Sequence, residues 1–243
     1  TYVLYRTLAK IQDAPVIEIP FDNTFTLPLE ALVRADAPLT IIANPNSPSG
    51  SSAPISQLSE LAERVSGILV IDEAYADFAD HSAIELVQRF PHVIILRSLS
   101  KSHGLAGLRL GFGVASPSLL SGLEKVKDSY NVDAVAACVG SAAIRDTGYT
   151  RSVINRIRAS RSRLTKHLET IGFRVWPSQA NFVLARPPAG NARHLYEELK
   201  ETGIFVRHFD DNQLSDKLRI TVGTDVQNAR LIEVLIDLVK RTP

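Results

Sequence analysis

The sequence predicts an α/β fold, a doubly wound and mainly parallel sheet followed by a smaller C-terminal α+β domain. Three observations predict it. Short apolar runs without polar alternation recur in the first half: "LTIIA" at 39–43, "ILVI" at 68–71, "HVIIL" at 92–96 and "LGFGVA" at 110–115. Runs of this kind are strands covered on both faces, as in parallel sheets. Helical segments stand between the first three runs, and strands alternating with helices build a doubly wound sheet. After about residue 116 the alternation gives way to long helices and short strands.

Taken in order, residues 2–13 read as a helix and "PVIEIP" (15–20) as a short strand. Residues 28–36 read as a helix ahead of the strand at 39–43. Residues 54–66 place Ile55, Leu58, Leu61, Ala62 and Val65 at helical spacing, ahead of the strand at 68–71. A helix at 82–89 precedes the strand at 92–96, and the run at 110–115 reads as the fourth strand of the set. Helices follow at 117–128, 133–145 and 149–171, the last carrying Val153, Ile157, Leu164, Leu168 and Ile171. Strands at 173–176 and 181–185 come next, then the proline–glycine loop "RPPAGN" (186–191). A helix at 192–202, strands near 204–207 and 218–222, and a helix at 225–240 complete the chain. The expected division is 1–130 for most of a large domain and 131–243 for a long connecting helix and a small domain.

Composition bounds the function. The 243 residues are 45% hydrophobic and 22% charged, an ordinary globular balance. A formal net charge of +1 gives no electrostatic reason to expect nucleic acid or an anionic membrane. No apolar run approaches the roughly 20 residues that span a bilayer. The single cysteine, Cys138 in "AVAACVG", excludes an internal disulfide and reads as a small buried hydrophobe. No signal peptide opens the chain, so the default location is cytoplasmic. The chain begins at Thr1 and contains no methionine, which predicts that an upstream part is missing.

In an open parallel sheet, ligands bind outside the carboxyl ends of the strands. The residues after each run are therefore the ones to read. "NPNSPSG" (44–50) follows the first, "DEAYADF" (72–78) the second, and "RSLSK" (97–101) the third. Each has a plain reading by itself. The first is a turn, Asp72 a helix cap, Glu73 a solvated charge, Lys101 a surface lysine, and Arg109 half of a surface ion pair. His103 reads as structural. Those readings are independent of one another, and none predicts that the polar groups collect at three adjacent strand ends.

A lysine among an acid, a phenol, hydroxyls and an arginine suits a cofactor that carries an aldehyde and a phosphate. Lysine amines form imines with aldehydes. Pyridoxal phosphate also needs a carboxylate against its ring nitrogen, and its phosphate needs hydroxyls and a bidentate guanidinium. No metal site is expected.

Together, "NPNSPSG", "DEAYADF" and "RSLSKSHGLAGLRLGF" resemble the fold type I, pyridoxal-phosphate-dependent aminotransferases. "DSYNVD" (128–133), "QANFVLAR" (179–186) and "LRITVGT" (218–224) are similar to the histidinol-phosphate aminotransferase branch. The resemblance runs from "TYVLYR" onward. It implies that Lys101 bonds the cofactor aldehyde and shuttles a proton, that Asp72 faces the ring nitrogen, and that Tyr75 reaches the ring oxygen. It implies phosphate contacts from Ser98, Ser100 and Arg109, ring stacking by Tyr2, and substrate contacts from Arg219 and Asn181. The asparagine that reaches the ring oxygen in relatives stands directly before Pro-x-Gly. That place is Ser47 here, with Asn46 one earlier, and Asn46 is taken for the role. Relatives also carry an upstream glycine-rich loop and an N-terminal arm that this chain does not show. The implied reaction takes histidinol phosphate and 2-oxoglutarate to imidazole acetol phosphate and glutamate, in a homodimer. The alternatives are an aromatic aminotransferase, an amino-acid-phosphate decarboxylase, and a non-catalytic truncated fragment.

Overall fold

In the computed structural model, which describes residues 2–241, two helices, α1 (Leu4–Ile11) and α2 (Leu29–Arg34), lead into the first sheet. Strands β1 (Leu39–Ala43), β2 (Ile68–Asp72) and β3 (Val93–Ser98) are parallel neighbours, joined through α3 (Ile55–Arg64) and the short α4 (Leu86–Arg89). Strand β4 (Gly111–Ala115) closes the order β1-β2-β3-β4. The apolar runs bury Ile42, Leu69, Ile71, Val93 and Ile95 against Leu58, Leu61 and Leu86 of the helices. Unalternating apolar sequence is thus explained by cover from helices. The first unit is thus a helix-covered, mainly parallel α/β sheet, with a smaller α+β unit after it.

Three sequence expectations change. Strand β4 runs antiparallel to β3, with Ser98 opposite Gly111. Its connection holds only a 3-10 turn at Ala106–Leu108, whereas a parallel return needs a crossover element, usually a helix. A Cβ at Gly111 would stand 2.7 Å from the Arg97 carbonyl oxygen, so glycine permits this close return. Residues 15–20 form no strand. Val16 and Ile17 are exposed there, and a segment without a neighbouring ladder has nothing to pair with. Cys138 is exposed rather than buried, because it falls on the open face of its helix beside Val135 and Val139.

The later part of the chain comprises α5 (Pro117–Glu124), α6 (Ala134–Arg145), α7 (Thr147–Thr170), β5 (Arg174–Val175), β6 (Phe182–Arg186), α8 (Ala192–Glu201), β7 (Arg207–His208), β8 (Leu218–Thr221) and α9 (Asp225–Arg241). Its sheet is antiparallel throughout, in the order β5-β6-β8-β7. Leu164 and Leu168 of α7 pack with Val183, Leu195, Ile220 and Leu235 in a second core. Asp133 caps α6 by accepting from the Ala136 N–H at 2.8 Å, and Asp146 caps α7 by accepting from Tyr149 N–H at 3.1 Å. Among the described residues no helix is long and apolar enough to cross a membrane.

The two sheets are stitched together beside the first strand end. The Gly50 carbonyl accepts from Gln179 N–H at 2.8 Å. Gly50 has φ +77°, and a Cβ there would lie 2.2 Å from Ser178 Oγ. Gly50→Ala is therefore expected to cost about 1–3 kcal/mol from left-handed backbone and overpacking. Urea denaturation measures it, and an unchanged midpoint would contradict the close fit.

Candidate functional site

Asp72 is the last residue of β2, and parallel pairing sets it between Ala43 and Leu96. Its Oδ1 accepts from Ala74 N–H at 2.9 Å, and its Oδ2 accepts from the Tyr5 hydroxyl. Burial, with donation to Asp72, pushes the Tyr5 phenol above its ordinary range. Tyr2 meets the Tyr5 ring edge-on at 5.8 Å and is half exposed. Tyr2 stands just ahead of α1 and Tyr5 in its first turn, and the Tyr5 N–H donates to the Tyr2 carbonyl at 3.2 Å, which brings the two rings together. Their spacing was the signal for Tyr5, which sequence reasoning missed.

Four side chains meet above this floor. Lys101 Nζ stands 5.6 Å from the centre of the Tyr75 ring. Tyr75 meets Phe182 edge to face at 5.1 Å. The Arg219 guanidinium lies 5.1 Å from the centre of that same Phe182 ring. Arg219 thus reaches the site from β8 of the second sheet, across Phe182 of β6. Burial lowers the Lys101 pKa, and the positive charges of Arg219 and Arg109 lower it further. Partial loss of hydration disfavours the protonated amine. Burial pushes the Tyr75 phenol up, with Arg219 opposing.

The loop after β1 turns Asn46 and Ser47 to different tasks. Asn46 is buried, and its Nδ2 donates to Ser49 Oγ at 2.9 Å. Its Oδ1 is buried with no hydrogen-bond partner, as is Nε of Arg219. Ser47 Oγ accepts from Arg219 Nη1 at 3.0 Å. Ser47 is therefore the residue of the pair that touches the cluster directly. Asn181 stands immediately before β6, where its carbonyl accepts from Val222 N–H at 2.9 Å. Arg207, unmarked in the sequence, lies across from Arg219 in the β7–β8 register. Arg219 loses basicity mainly through burial, with Arg207 adding to the effect.

Ser98, Ser100 and Arg109 lie along the segment that leads from β3 to β4. Ser98 Oγ accepts from Ser100 N–H at 3.1 Å. Arg109 takes a left-handed backbone, φ 52°, and donates from Nη1 to the Ala106 carbonyl at 3.0 Å. A non-glycine residue in that region costs of order 1–3 kcal/mol unless its surroundings hold it. Arg109 is exposed, and its charge reaches Lys101.

Behind Lys101 is an ionic network that the sequence did not disclose. The Glu73 side chain is fully buried, with Arg97 Nε 3.0 Å from its Oε2. This corrects the reading of Glu73 as a solvated charge. Backbone pairing at the end of β2 turns it inward, where it also accepts from Ala83 N–H at 2.5 Å and Ser82 Oγ at 2.7 Å. Those two bonds fix residues 82–83, and the helix expected at 82–89 is confined to α4. Arg97 Nη1 pairs with Asp77 at 2.6 Å, and Asp77 Oδ2 accepts from the buried Ser102 hydroxyl. His103 Nδ1 lies 2.9 Å from Ser102 Oγ, so His103 belongs to this support. The network ties the residue after Lys101 to the turn after Tyr75.

The family described as aminotransferase class I and II matches residues 1–235. Histidinol-phosphate aminotransferase 1 of Trichormus variabilis is 55% identical over 240 residues, covering 99% of this chain and 69% of that protein. The crystal structure of histidinol-phosphate aminotransferase from Sinorhizobium meliloti, in complex with pyridoxal-5'-phosphate, superposes with TM-score 0.91 at 28% identity. That match covers 100% of this chain and 69% of that one. L-threonine-O-3-phosphate decarboxylase from Porphyromonas gingivalis shares the fold, with TM-score 0.82 at 20% identity over 99% of this chain and 75% of that one. The chain belongs to the class I and II aminotransferase family. It is a transaminase.

Proposed function

We propose that the protein is a pyridoxal-phosphate-dependent aminotransferase that converts histidinol phosphate and 2-oxoglutarate to imidazole acetol phosphate and glutamate. One observation carries the reading of the site: an amine, a phenol and a guanidinium, Lys101, Tyr75 and Arg219, gather at the strand edge that also presents Asp72. The 55% identity to a histidinol-phosphate aminotransferase supports the substrate assignment.

The donor set fits the cofactor. Asp72 accepts from two donors, and a carboxylate has about four lone-pair sites, so it can take a ring N–H as well. Asn46 Oδ1 and Arg219 Nε are buried polar atoms with bonds to make, and buried groups of this kind call for partners. Asp72 would hold the ring nitrogen, Tyr75 with Asn46 or Ser47 the ring oxygen, Lys101 the aldehyde, and Ser98, Ser100 and Arg109 the phosphate. Tyr2 would cover the ring. When bound, pyridoxal phosphate supplies a protonated ring that withdraws electrons from the substrate α-carbon.

The chain's own residues do the rest. Arg219 and Arg207 offer positive charge to the anionic groups of both substrates, and Asn181 lines their approach. Lys101 removes and returns a proton at the substrate α-carbon, for which it must be neutral. Its lowered pKa enlarges the neutral fraction near neutral pH, so the rate rises with pH through a value below that of an ordinary lysine. Arg219→Ala is expected to raise KM for glutamate about 10- to 100-fold, the loss of a charge-assisted bond. Steady-state assays of the full-length protein with histidinol phosphate, phenylalanine and threonine phosphate test the reading. Turnover of histidinol phosphate is expected. Preference for phenylalanine would move the protein to an aromatic aminotransferase, decarboxylation of threonine phosphate to the decarboxylases, and no turnover to a non-catalytic role.

The same reading assigns residues 1–130 to the cofactor-holding unit and 131–243 to the long helix and the smaller unit, in line with their separate cores. It also makes the protein a cytoplasmic homodimer. Exposed apolar side chains on α1 and α6, among them Leu8, Ile11, Val135 and Ile144, favour such a partner.

A further inference from the structure

Helix α7 packs against the 3-10 turn after Tyr75 and against β6, and one of its side chains joins the two halves of the cluster. Arg161 Nη1 donates to the Ala180 carbonyl at 2.7 Å and to the Phe78 carbonyl at 3.3 Å. Phe78 and Ala180 are fully buried. Phe78 follows Tyr75 by three residues in a 3-10 turn, and Ala180 precedes Phe182 by two. A single guanidinium therefore bridges the segment that carries Tyr75 and the segment that carries Phe182. These are the two rings that meet at 5.1 Å, and Arg219 rests on the second of them.

A second bridge lies further out. Asp80 accepts from Gln179 Nε2 at 2.9 Å and pairs with Arg158. Asp80 is more than half exposed, and exposed pairs of this kind contribute little. Arg161 is the shielded strap. Burial lowers its pKa and the nearby charge of Arg158 lowers it further, with Asp80 opposing.

We propose that Arg161 is a positioning residue: by bonding the Phe78 and Ala180 carbonyls together it sets where Arg219 and Phe182 stand relative to Tyr75 and Lys101, and so sets affinity for the anionic end of the amino-acid substrate. This rests on the reading of Arg219 as the substrate's anion partner. A misplacement of about 1 Å by a residue remote from the chemistry can cost on the order of 100-fold. The strap acts on binding geometry, so its loss falls on KM rather than kcat.

The test uses the full-length protein loaded with pyridoxal phosphate, as wild type, Arg161→Ala, Arg161→Lys and, for the exposed strap, Asp80→Ala. KM and kcat for glutamate are measured, with Kd for glutarate, a dicarboxylate of the same length that has no amino group to transfer. Arg161→Ala is expected to raise both KM for glutamate and Kd for glutarate about tenfold or more, with kcat and bound cofactor close to wild type. Arg161→Lys keeps a charge but replaces the planar guanidinium, whose Nη1 serves both carbonyls, with a shorter and freely rotating ammonium, so its glutarate Kd is expected between those of wild type and Arg161→Ala. Asp80→Ala is expected to stay near wild type. An unchanged glutarate Kd in Arg161→Ala, or in Arg161→Lys should the alanine variant not fold, would overturn the inference. So would a loss confined to folded fraction and cofactor content. A wild-type protein that neither transaminates glutamate nor binds glutarate would overturn the functional reading, and this inference with it.

Discussion

Lys101→Ala is expected to remove amino transfer while leaving the fold intact. The proposed role of Lys101 combines a covalent hold on the cofactor with proton transfer at the substrate α-carbon. Positioned proton transfer alone is worth about 10²–10⁴-fold, and loss of the covalent hold adds to it. Lys101→Arg keeps the charge but has no neutral amine at working pH, so it is expected to be as inactive. Stability moves the other way. Folding lowers the Lys101 pKa, so the folded state binds that proton less tightly than the unfolded state. A charged Lys101 is thus a cost to the fold, and stability from this group rises with pH between its folded value and the ordinary lysine range. Removing the amine should therefore not lower the melting temperature at neutral pH. Steady-state kcat with glutamate, measured beside a thermal melt, checks both halves. Retention of activity within tenfold would sink the assignment of Lys101.

Arg97→Met is the substitution expected to harm the fold most. It leaves the Glu73 carboxylate, whose side chain is fully buried, without its ionic partner, and it frees Asp77 from its 2.6 Å pair. Removing one member of a buried pair costs about 3–5 kcal/mol, which for a chain of this size lowers the melting temperature by on the order of 10 °C. Activity should fall with it, because Asp77 also holds the Ser102 hydroxyl next to Lys101. Arg6→Ala, which removes an exposed pair with Glu18, is the control and should change stability by less than about 1 kcal/mol. A loss below that size in Arg97→Met, read by urea denaturation, would mean that water or relaxation serves Glu73 as well as Arg97 does.

These two variants mark the difference between what the sequence discloses and what it withholds. Strands β1 to β3 were legible because helices cover both faces, which leaves an apolar run with no gaps. "PVIEIP" carries a shorter apolar run broken by Glu18, and a strand also needs a neighbour, which local pattern does not supply. The direction of β4 depends on what fills its connection, and Cys138 on which side of α6 is covered. Lys101, Asp72 and Tyr75 were legible because each follows an apolar run closely, so the topology of the sheet brings them together. Tyr5, Arg97 and Arg161 were not, since their partners stand far along the chain. The distance is 67 positions for Tyr5 with Asp72 and 83 for Arg161 with Phe78. Asn46 and Ser47 are adjacent, and only the turn of the loop decides which one reaches Arg219.

The most direct measurement is the absorption spectrum of the full-length protein titrated with pyridoxal phosphate, then with glutamate, beside Lys101→Ala. The account predicts a protein-bound visible band in the wild type that glutamate bleaches and 2-oxoglutarate restores, and that Lys101→Ala lacks. A wild-type protein with no such band at excess cofactor, or with a band that the amino donor leaves unchanged, would contradict it.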